Sequence, residues 1–333
     1  MVHWNNFRSF LILMVLLSFT MSSACARAKD SQNEGRSGRL IVVATLFPLY
    51  DFAKNIAGDR ADVKLLLPPG AEPHSFEPKP ADIVMLNRAD IFIYTNKIME
   101  PWAEDMLKGL QGNRLSVVDA SSGVRFIEGS TDGAEGGNQH QRSKPGQKEE
   151  HDQHEAHGAD PHIWLDFSNA QKMVDNIAGA FIAKDPSNSD LYTRNAEAYK
   201  ARLEGLDKAY QKGLSNCRKK IFVNGGHYTF GYLANRYGLQ YRAAYGFSPD
   251  AEPTARNLAD ISKTLRREGL DHLFFEELLS PRIAETIAKE TGAALLKLHG
   301  AHNISKEEFN ANRTFIELME KNLDNLMIGL QCR

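Results

Sequence analysis

Three histidines stand in short segments marked by Pro or Gly: Glu72-Pro73-His74, Asp160-Pro161-His162 and Gly225-Gly226-His227. A second group, His140, His151, His154 and His157, falls in a strongly polar tract just ahead of His162. Neutral imidazole is the commonest protein ligand for zinc. One histidine in a turn is ordinarily a polar surface residue, so the weight lies on the set. Three isolated turn histidines beside one His-rich tract point to a metal site with a polar loop next to it.

The elements that must position these residues read as alternating strands and helices. Leu40 to Thr45 is a continuous apolar run, as expected of a buried parallel strand. A helix from Phe47 to Ile56 follows and stops at Gly58. Val63 to Leu67, Ile91 to Tyr94, Ile221 to Val223, His272 to Phe275 and Ala294 to Leu298 are further strands. Helices are expected over Lys79–Asn87, Ser168–Ala183 with Ser168 as N-cap, Tyr228–Tyr237, Leu258–Arg267, Pro281–Thr291 and Asn310–Leu330. Ser189 to Leu214 lacks Pro and carries Leu191, Ala198, Leu203, Leu206, Tyr210 and Leu214, which makes one long helix. The class is α/β: two lobes, each a small parallel sheet flanked by helices, joined by that helix. In such sheets ligands bind beyond the C-terminal ends of the strands. His74, His227 and His299 each follow a strand, and they come from both lobes, so the metal site is expected in the interlobe cleft.

The 333 residues suffice for two ordinary domains, and 40 basic against 42 acidic side chains leave no basic block suited to nucleic acid. The N-terminus departs from this balance. Arg8, the apolar run Phe10–Met21 and the small residues Ser22 to Ala26 form the three regions of an export signal, and the run is too short for a membrane span. Two cleavage readings stand side by side. Ala24-Cys25-Ala26 or Ala26-Arg27-Ala28 fits ordinary signal peptidase, whereas Ser22-Ser23-Ala24-Cys25 resembles a lipoprotein box with Ser where Leu is expected. The second would attach lipid to Cys25. Either way Cys217 and Cys332 remain, an even number in an oxidising compartment, and are expected to form a disulfide; two buried thiols are the alternative. The expected organisation is a leader over 1–28, a tether over 29–39, an N-terminal lobe over 40–187, a linking helix over 188–215 and a C-terminal lobe over 216–333. Within the first lobe, residues 128–159 are too polar to bury a core and should form a mobile loop.

Several ordered motifs narrow the reading: Leu46-Phe47-Pro48-Leu49, Pro68-Pro69-Gly70-Ala71-Glu72-Pro73-His74-Ser75-Phe76-Glu77-Pro78, Asp160-Pro161-His162-Ile163-Trp164-Leu165-Asp166, Gly226-His227-Tyr228-Thr229-Phe230-Gly231-Tyr232-Leu233 and Ser248-Pro249-Asp250-Ala251-Glu252-Pro253. Together they resemble the zinc/manganese substrate-binding proteins of ABC transporters, and most closely the periplasmic zinc-binding subgroup. The resemblance runs from Leu40 to Leu330. It implies a two-lobed, monomeric binding protein with a rigid helical backbone that delivers a metal ion to a permease of the cytoplasmic membrane. It also implies that His74 and His162 are the first two ligands. The third position carries His in zinc members and Glu in manganese members, and here it is His227. A third imidazole favours Zn2+ over the harder Mn2+. The fourth position departs from the family, which commonly has Asp after the last strand. Leu298-His299-Gly300-Ala301-His302-Asn303 stands there instead. His299 is taken as the fourth ligand, with Glu276, water or His302 as alternatives, and Glu72 as a partner orienting an imidazole.

Four functions compete on these residues. The leading one is the high-affinity zinc-binding component of an uptake transporter, with no enzymatic turnover and the His-rich tract as an accessory, weaker zinc site. A manganese or iron binder of the same family is the second. The third is a secreted zinc hydrolase, against which no H-E-x-x-H helix and no G-x-S-x-G elbow occurs in the chain. A surface adhesin or zinc buffer without a permease is the fourth.

Overall fold

The computed structural model describes residues 38–110, 114–127, 158–247 and 253–333. The expectations for the leader, Cys25, nearly all of the tether and His140, His151, His154 and His157 lie outside these residues, as do Ser248 to Glu252.

The first sheet is built from β1 (Leu40–Ala44), β2 (Ala61–Leu65), β3 (Ile91–Tyr94) and β4 (Ser116–Asp119), in the order β2-β1-β3-β4 and parallel throughout. Val42 on β1 lies opposite Val63 on one side and Ile91 on the other. β3 is buried at every position, as a central parallel strand covered on both faces must be, whereas edge strand β2 alternates. Three helices belong to this part of the chain: α1 (Phe47–Ala57), α2 (Pro80–Arg88) and α3 (Pro101–Lys108), each with Pro in its first turn, where a missing N–H costs nothing. α1 ends at Gly58, whose φ of 53° suits glycine.

α4 (Phe167–Lys184) starts from Asp166, whose carboxylate accepts from Ser168 N at 2.8 Å. The expected cap at Ser168 therefore shifts by two residues: Ser168 is already helical and Asp166 is the acceptor. α5 (Ser189–Ser215) is the long helix, 27 residues, burying Tyr192, Tyr199, Leu203, Leu206, Tyr210 and Leu214. Its tyrosines also anchor at their polar ends. Tyr199 OH donates to Asp51 Oδ2 at 2.6 Å on one side, and Tyr210 OH to Met319 O at 2.6 Å on the other.

The second sheet repeats the strand order of the first. β5 (Ile221–Asn224), α6 (Gly231–Arg236), β6 (Gln240–Ala243), α7 (Ala255–Glu268), β7 (His272–Phe275), α8 (Arg282–Thr291) and β8 (Ala294–Lys297) give β6-β5-β7-β8, again parallel. α9 (Lys306–Asn310) and α10 (Phe315–Gly329) each open with a capping box, Ser305 with Glu308 and Thr314 with Glu317. The terminal helix expected from Asn310 begins only at Phe315, as α10, after Asn312 takes φ 52°, and the short α9 precedes it. No element is expected from the sequence over α3, β4 and β6. β4 and β6 are four-residue edge strands, half exposed and partly polar, with little apolar periodicity to detect.

One buried apolar cluster runs through both sheets, from Val42 and Ile91 through Phe167, Tyr192 and Tyr210 to Phe222, Phe274 and Met319. Cys217 and Cys332 form a disulfide that ties the tail after α10 to the turn before β5, and Lys219 N donates to Leu330 O beside it. Among the described residues no helix is long and apolar enough to cross a membrane.

Candidate metal centre

Each histidine of the site sits where a strand has delivered the chain to the carboxyl edge of a sheet, or in a turn facing that edge. His74 lies on the long loop between β2 and α2, His227 three residues past β5, and His162 in the turn before α4. The tight backbone at Gly226 is needed: a Cβ there would stand 2.0 Å from Glu276 Oε1. Gly226 therefore lets the Glu276 carboxylate close on the neighbouring imidazole.

The three side chains converge. His74, His162 and His227 can each offer one ring nitrogen such that all three lie within 4.8 Å of one another. Ring centroids are 5.5 Å apart for His74 and His162, 5.8 Å for His74 and His227, and 5.2 Å for His162 and His227. His162 Nε2 and His227 Nε2 are 3.3 Å apart. Two Zn–N bonds of about 2.0–2.1 Å at a tetrahedral angle place their nitrogens about 3.3 Å apart, so this pair already spans one edge of a zinc polyhedron.

Two of the rings are aimed by buried carboxylates. His162 Nδ1 is 2.8 Å from Asp160 Oδ1, and His227 Nδ1 is 2.6 Å from Glu276 Oε2. Glu276 is itself fixed, by Asn224 Nδ2 at 2.8 Å and by the Thr229 hydroxyl at 3.1 Å. A carboxylate on Nδ1 selects the tautomer that turns the Nε2 lone pair inward, and it raises the ring's basicity as a ligand.

Electrostatics separate His227 from its neighbours. Burial, with repulsion from His227, holds His74 down at about 3. Burial likewise carries His162 well below the usual histidine value, and lifts its partner Asp160 to about 8, a shift that a cation bound at the His162 ring opposes by favouring the ionised carboxylate. At His227 burial acts in the same direction but is outweighed by Glu276, helped by Glu72 and Glu277, and the net shift is upward. Near neutral pH, then, His74 and His162 present lone pairs, while His227 retains affinity for a proton.

His299 does not join the cluster. Its Nδ1 is 3.2 Å from Glu277 Oε1 and accepts from Ala301 N at 3.0 Å, and its Nε2 is 3.4 Å from Glu308 Oε2. Both ring nitrogens are engaged away from the other histidines, and the expectation of His299 beside them is corrected on that ground. The chain turns at Ala301, with φ 59°, and His302 is delivered to the cluster instead. The His302 ring lies 5.6 Å from His227 and 6.4 Å from His162 by centroid, is buried, and has no hydrogen-bond partner on either nitrogen. Burial holds it neutral, well below the usual histidine value. His74 Nε2 is likewise buried and unpartnered. Buried polar atoms without partners are rare enough to require an explanation, and a cation at the cluster supplies one.

The other expected residues divide. Glu72 accepts from His74 N at 3.1 Å, orienting the loop through its backbone. Glu276 stands behind His227, with both oxygens taken up by His227, Thr229 and Asn224. Trp164 packs beside His162 and donates to Gly300 O at 2.8 Å, and Trp102 donates to Pro73 O at 3.2 Å, so both tryptophans brace ligand segments. Asp160, two residues before His162, accepts from His162 N at 3.0 Å as well as meeting the His162 ring, so it shapes the turn and aims the imidazole together.

The family model described as ZnuA, zinc-uptake complex component A periplasmic, matches residues 42–328. The high-affinity zinc uptake system protein ZnuA of Bacillus subtilis is 35% identical over 326 residues, which is 96% of this chain and 97% of that protein. The zinc-binding lipoprotein AdcA of Streptococcus pneumoniae serotype 4 is 35% identical over 315 residues, 94% of this chain but 60% of that longer protein. Among solved structures, the Zn(II)-bound ZnuA-like domain of Streptococcus pneumoniae AdcA superposes with a TM-score of 0.72 at 33% identity, covering 88% of this chain and 99% of that one. With the motifs, the paired parallel sheets and the histidine cluster in agreement, the chain belongs to the zinc-uptake complex component A family.

Proposed function

We propose that this protein is the zinc-binding component of an ABC-type uptake system, holding Zn2+ through His74, His162 and His227 with His302 in fourth place. The observation that carries the reading is the all-imidazole cluster, two of whose rings are aimed by buried carboxylates. Nitrogen donors favour zinc over Mn2+, which prefers oxygen. Zinc is cargo here. Four imidazoles close a tetrahedral shell, which leaves no position for a reacting water and argues for binding without turnover. Asp160 and Glu276 are committed to ring nitrogens, so neither serves as a general base.

The similarity to named zinc-uptake proteins supports delivery to a membrane permease outside the cytoplasm, and the proposal takes the protein to act as a monomer. Lipid attachment through Cys25 and a supporting role for His140, His151, His154 and His157 complete the proposal. Competitive titration of the mature protein with Zn2+ and Mn2+, with His227→Ala in parallel, tests it. One tight zinc site that His227→Ala cripples is expected. Preference for Mn2+, or an unaffected variant, would overturn the assignment.

A further inference from the structure

The four imidazoles come from segments that belong to both sheets, and the joints between those segments differ in kind. On one side, Arg236 of α6 donates from Nη1 to Asp166 Oδ1 at 2.8 Å, and from Nε and Nη2 to Asp207 of α5 at 2.7 and 2.6 Å. This charged knot locks the turn carrying His162 to the helix that follows His227. On the other side, the joint between the loop carrying His74 and the segment carrying His302 is neutral, and its side-chain hydrogen bonds come from Asn303.

Asn303 is fully buried. Its Nδ2 donates to Pro68 O at 2.8 Å and to Ala71 O at 2.7 Å, and its Oδ1 accepts from Ile304 N at 2.8 Å. Gly70 N returns a bond to Ile304 O at 2.8 Å. A primary amide fits this place because its two N–H donors diverge toward two carbonyls while its oxygen meets a backbone N–H. Asp would set an acceptor against two acceptors, and a smaller side chain would leave two buried carbonyls short of partners. Asn303 adjoins His302 in sequence, and Ala71 lies three residues before His74. Its hydrogen bonds therefore set the distance between two members of the cluster that belong to opposite sheets.

His74 is also the only member of the His74–His162–His227 group that is not fully buried, so exchange with solvent begins on its side. Neutral hydrogen bonds are roughly half as strong as charge-assisted ones, which makes the Asn303 joint easier to open than the Arg236 joint.

We infer that Asn303 is a positioning residue that clasps the His74 loop to the His302 segment, sets the residence time of the bound ion, and parts from Pro68 and Ala71 when the ion leaves. This rests on the reading of His74 and His302 as ligands.

The test compares the wild-type protein with Asn303→Asp, Asn303→Ser and His302→Ala. Three quantities are read: the rate of Zn2+ transfer to excess chelator, the visible absorption of the Co2+-loaded protein, and the melting of the metal-free protein. Asn303→Asp is expected to speed zinc dissociation about tenfold or more and to alter the Co2+ bands, as removal of a residue supporting a ligand typically does. Asn303→Ser, which keeps one donor, should fall between, and it carries the test if the Asp variant does not fold. Wild-type dissociation and Co2+ spectra in Asn303→Ser, whatever the melting shows, would overturn the clasp. An unchanged Co2+ spectrum and zinc affinity in His302→Ala would instead remove the ligand reading on which the clasp depends. A changed His302→Ala beside unchanged Asn303 variants would sink the clasp alone.

Discussion

The two sheets share one strand order, and each side of the cleft supplies imidazoles, but the rings are held in two different ways. His162 and His227 are fully buried, each with a carboxylate on Nδ1, and Arg236 binds the segments around them together. His74 and His302 have unpartnered ring nitrogens, lie on segments without regular secondary structure, and are joined through the amide of Asn303. The first pair is organised before any ion arrives. On the proposed reading, the second completes its hydrogen-bonding and coordination only with the ion. Such a division suits a carrier: one rigid edge gives selectivity, and one compliant edge gives a way in and out.

Removing a ligand from each pair should have the largest effect and tests the division directly. Structural zinc sites gain about 10–16 kcal/mol from four ligands, so losing one is expected to cost roughly 100-fold or more in affinity. His162→Ala should reach that, measured by competition with a chelator of known affinity. His74→Ala should lose less, because water can take the more exposed position. Equal losses would mean that the two edges are not distinct.

A smaller effect is expected behind the ring. Glu276→Gln should weaken zinc binding about 10–100-fold and change its pH dependence. Glu276 holds His227 above the ordinary histidine value, so below that raised value zinc must displace a proton from His227, and affinity should climb with pH by up to about tenfold per unit. His74, His162 and His302 are shifted downward and contribute no such competition near neutral pH. Without the carboxylate, burial dominates at His227 and the competition should move to lower pH. A zinc titration across the histidine range in both proteins reads this; identical slopes would place the displaced proton elsewhere.

The smallest effect on zinc should come from the disulfide. Cys217 and Cys332 lie at the far end of the second sheet from the ligand loops, beside the start of β5. Reduction should lower stability by about 2–5 kcal/mol, seen in chemical denaturation, with zinc affinity unchanged. A parallel fall in affinity would show that the second sheet transmits strain to His227.

Much of this was legible in the chain. The apolar runs of β1, β3, β5 and β7 are visible because a parallel strand covered on both faces must be apolar throughout. His74, His162 and His227 stand out because Pro and Gly mark the turns that hold them. His299 misled because it directly follows a strand, whereas the chain reverses at Ala301 and presents the histidine three residues later. Only the positive φ there, and the pull of Glu277 and Glu308 on His299, distinguish the two. Neither can be read from residue types. The edge strands β4 and β6 escaped for a different reason: four half-exposed residues carry too little periodicity to stand out.

The sequence by itself determined the class of fold, the cysteine pair and the three turn histidines, because burial of apolar runs and the backbone demands of Pro and Gly act locally and leave a pattern along the chain. The tertiary structure alone decided which carboxylate meets which imidazole, that His302 replaces His299 beside the cluster, and that Asn303 reaches Pro68 and Ala71 across 235 and 232 positions of sequence. Those pairings depend on directions in space, set by how two sheets pack around one helix, and no local pattern records them.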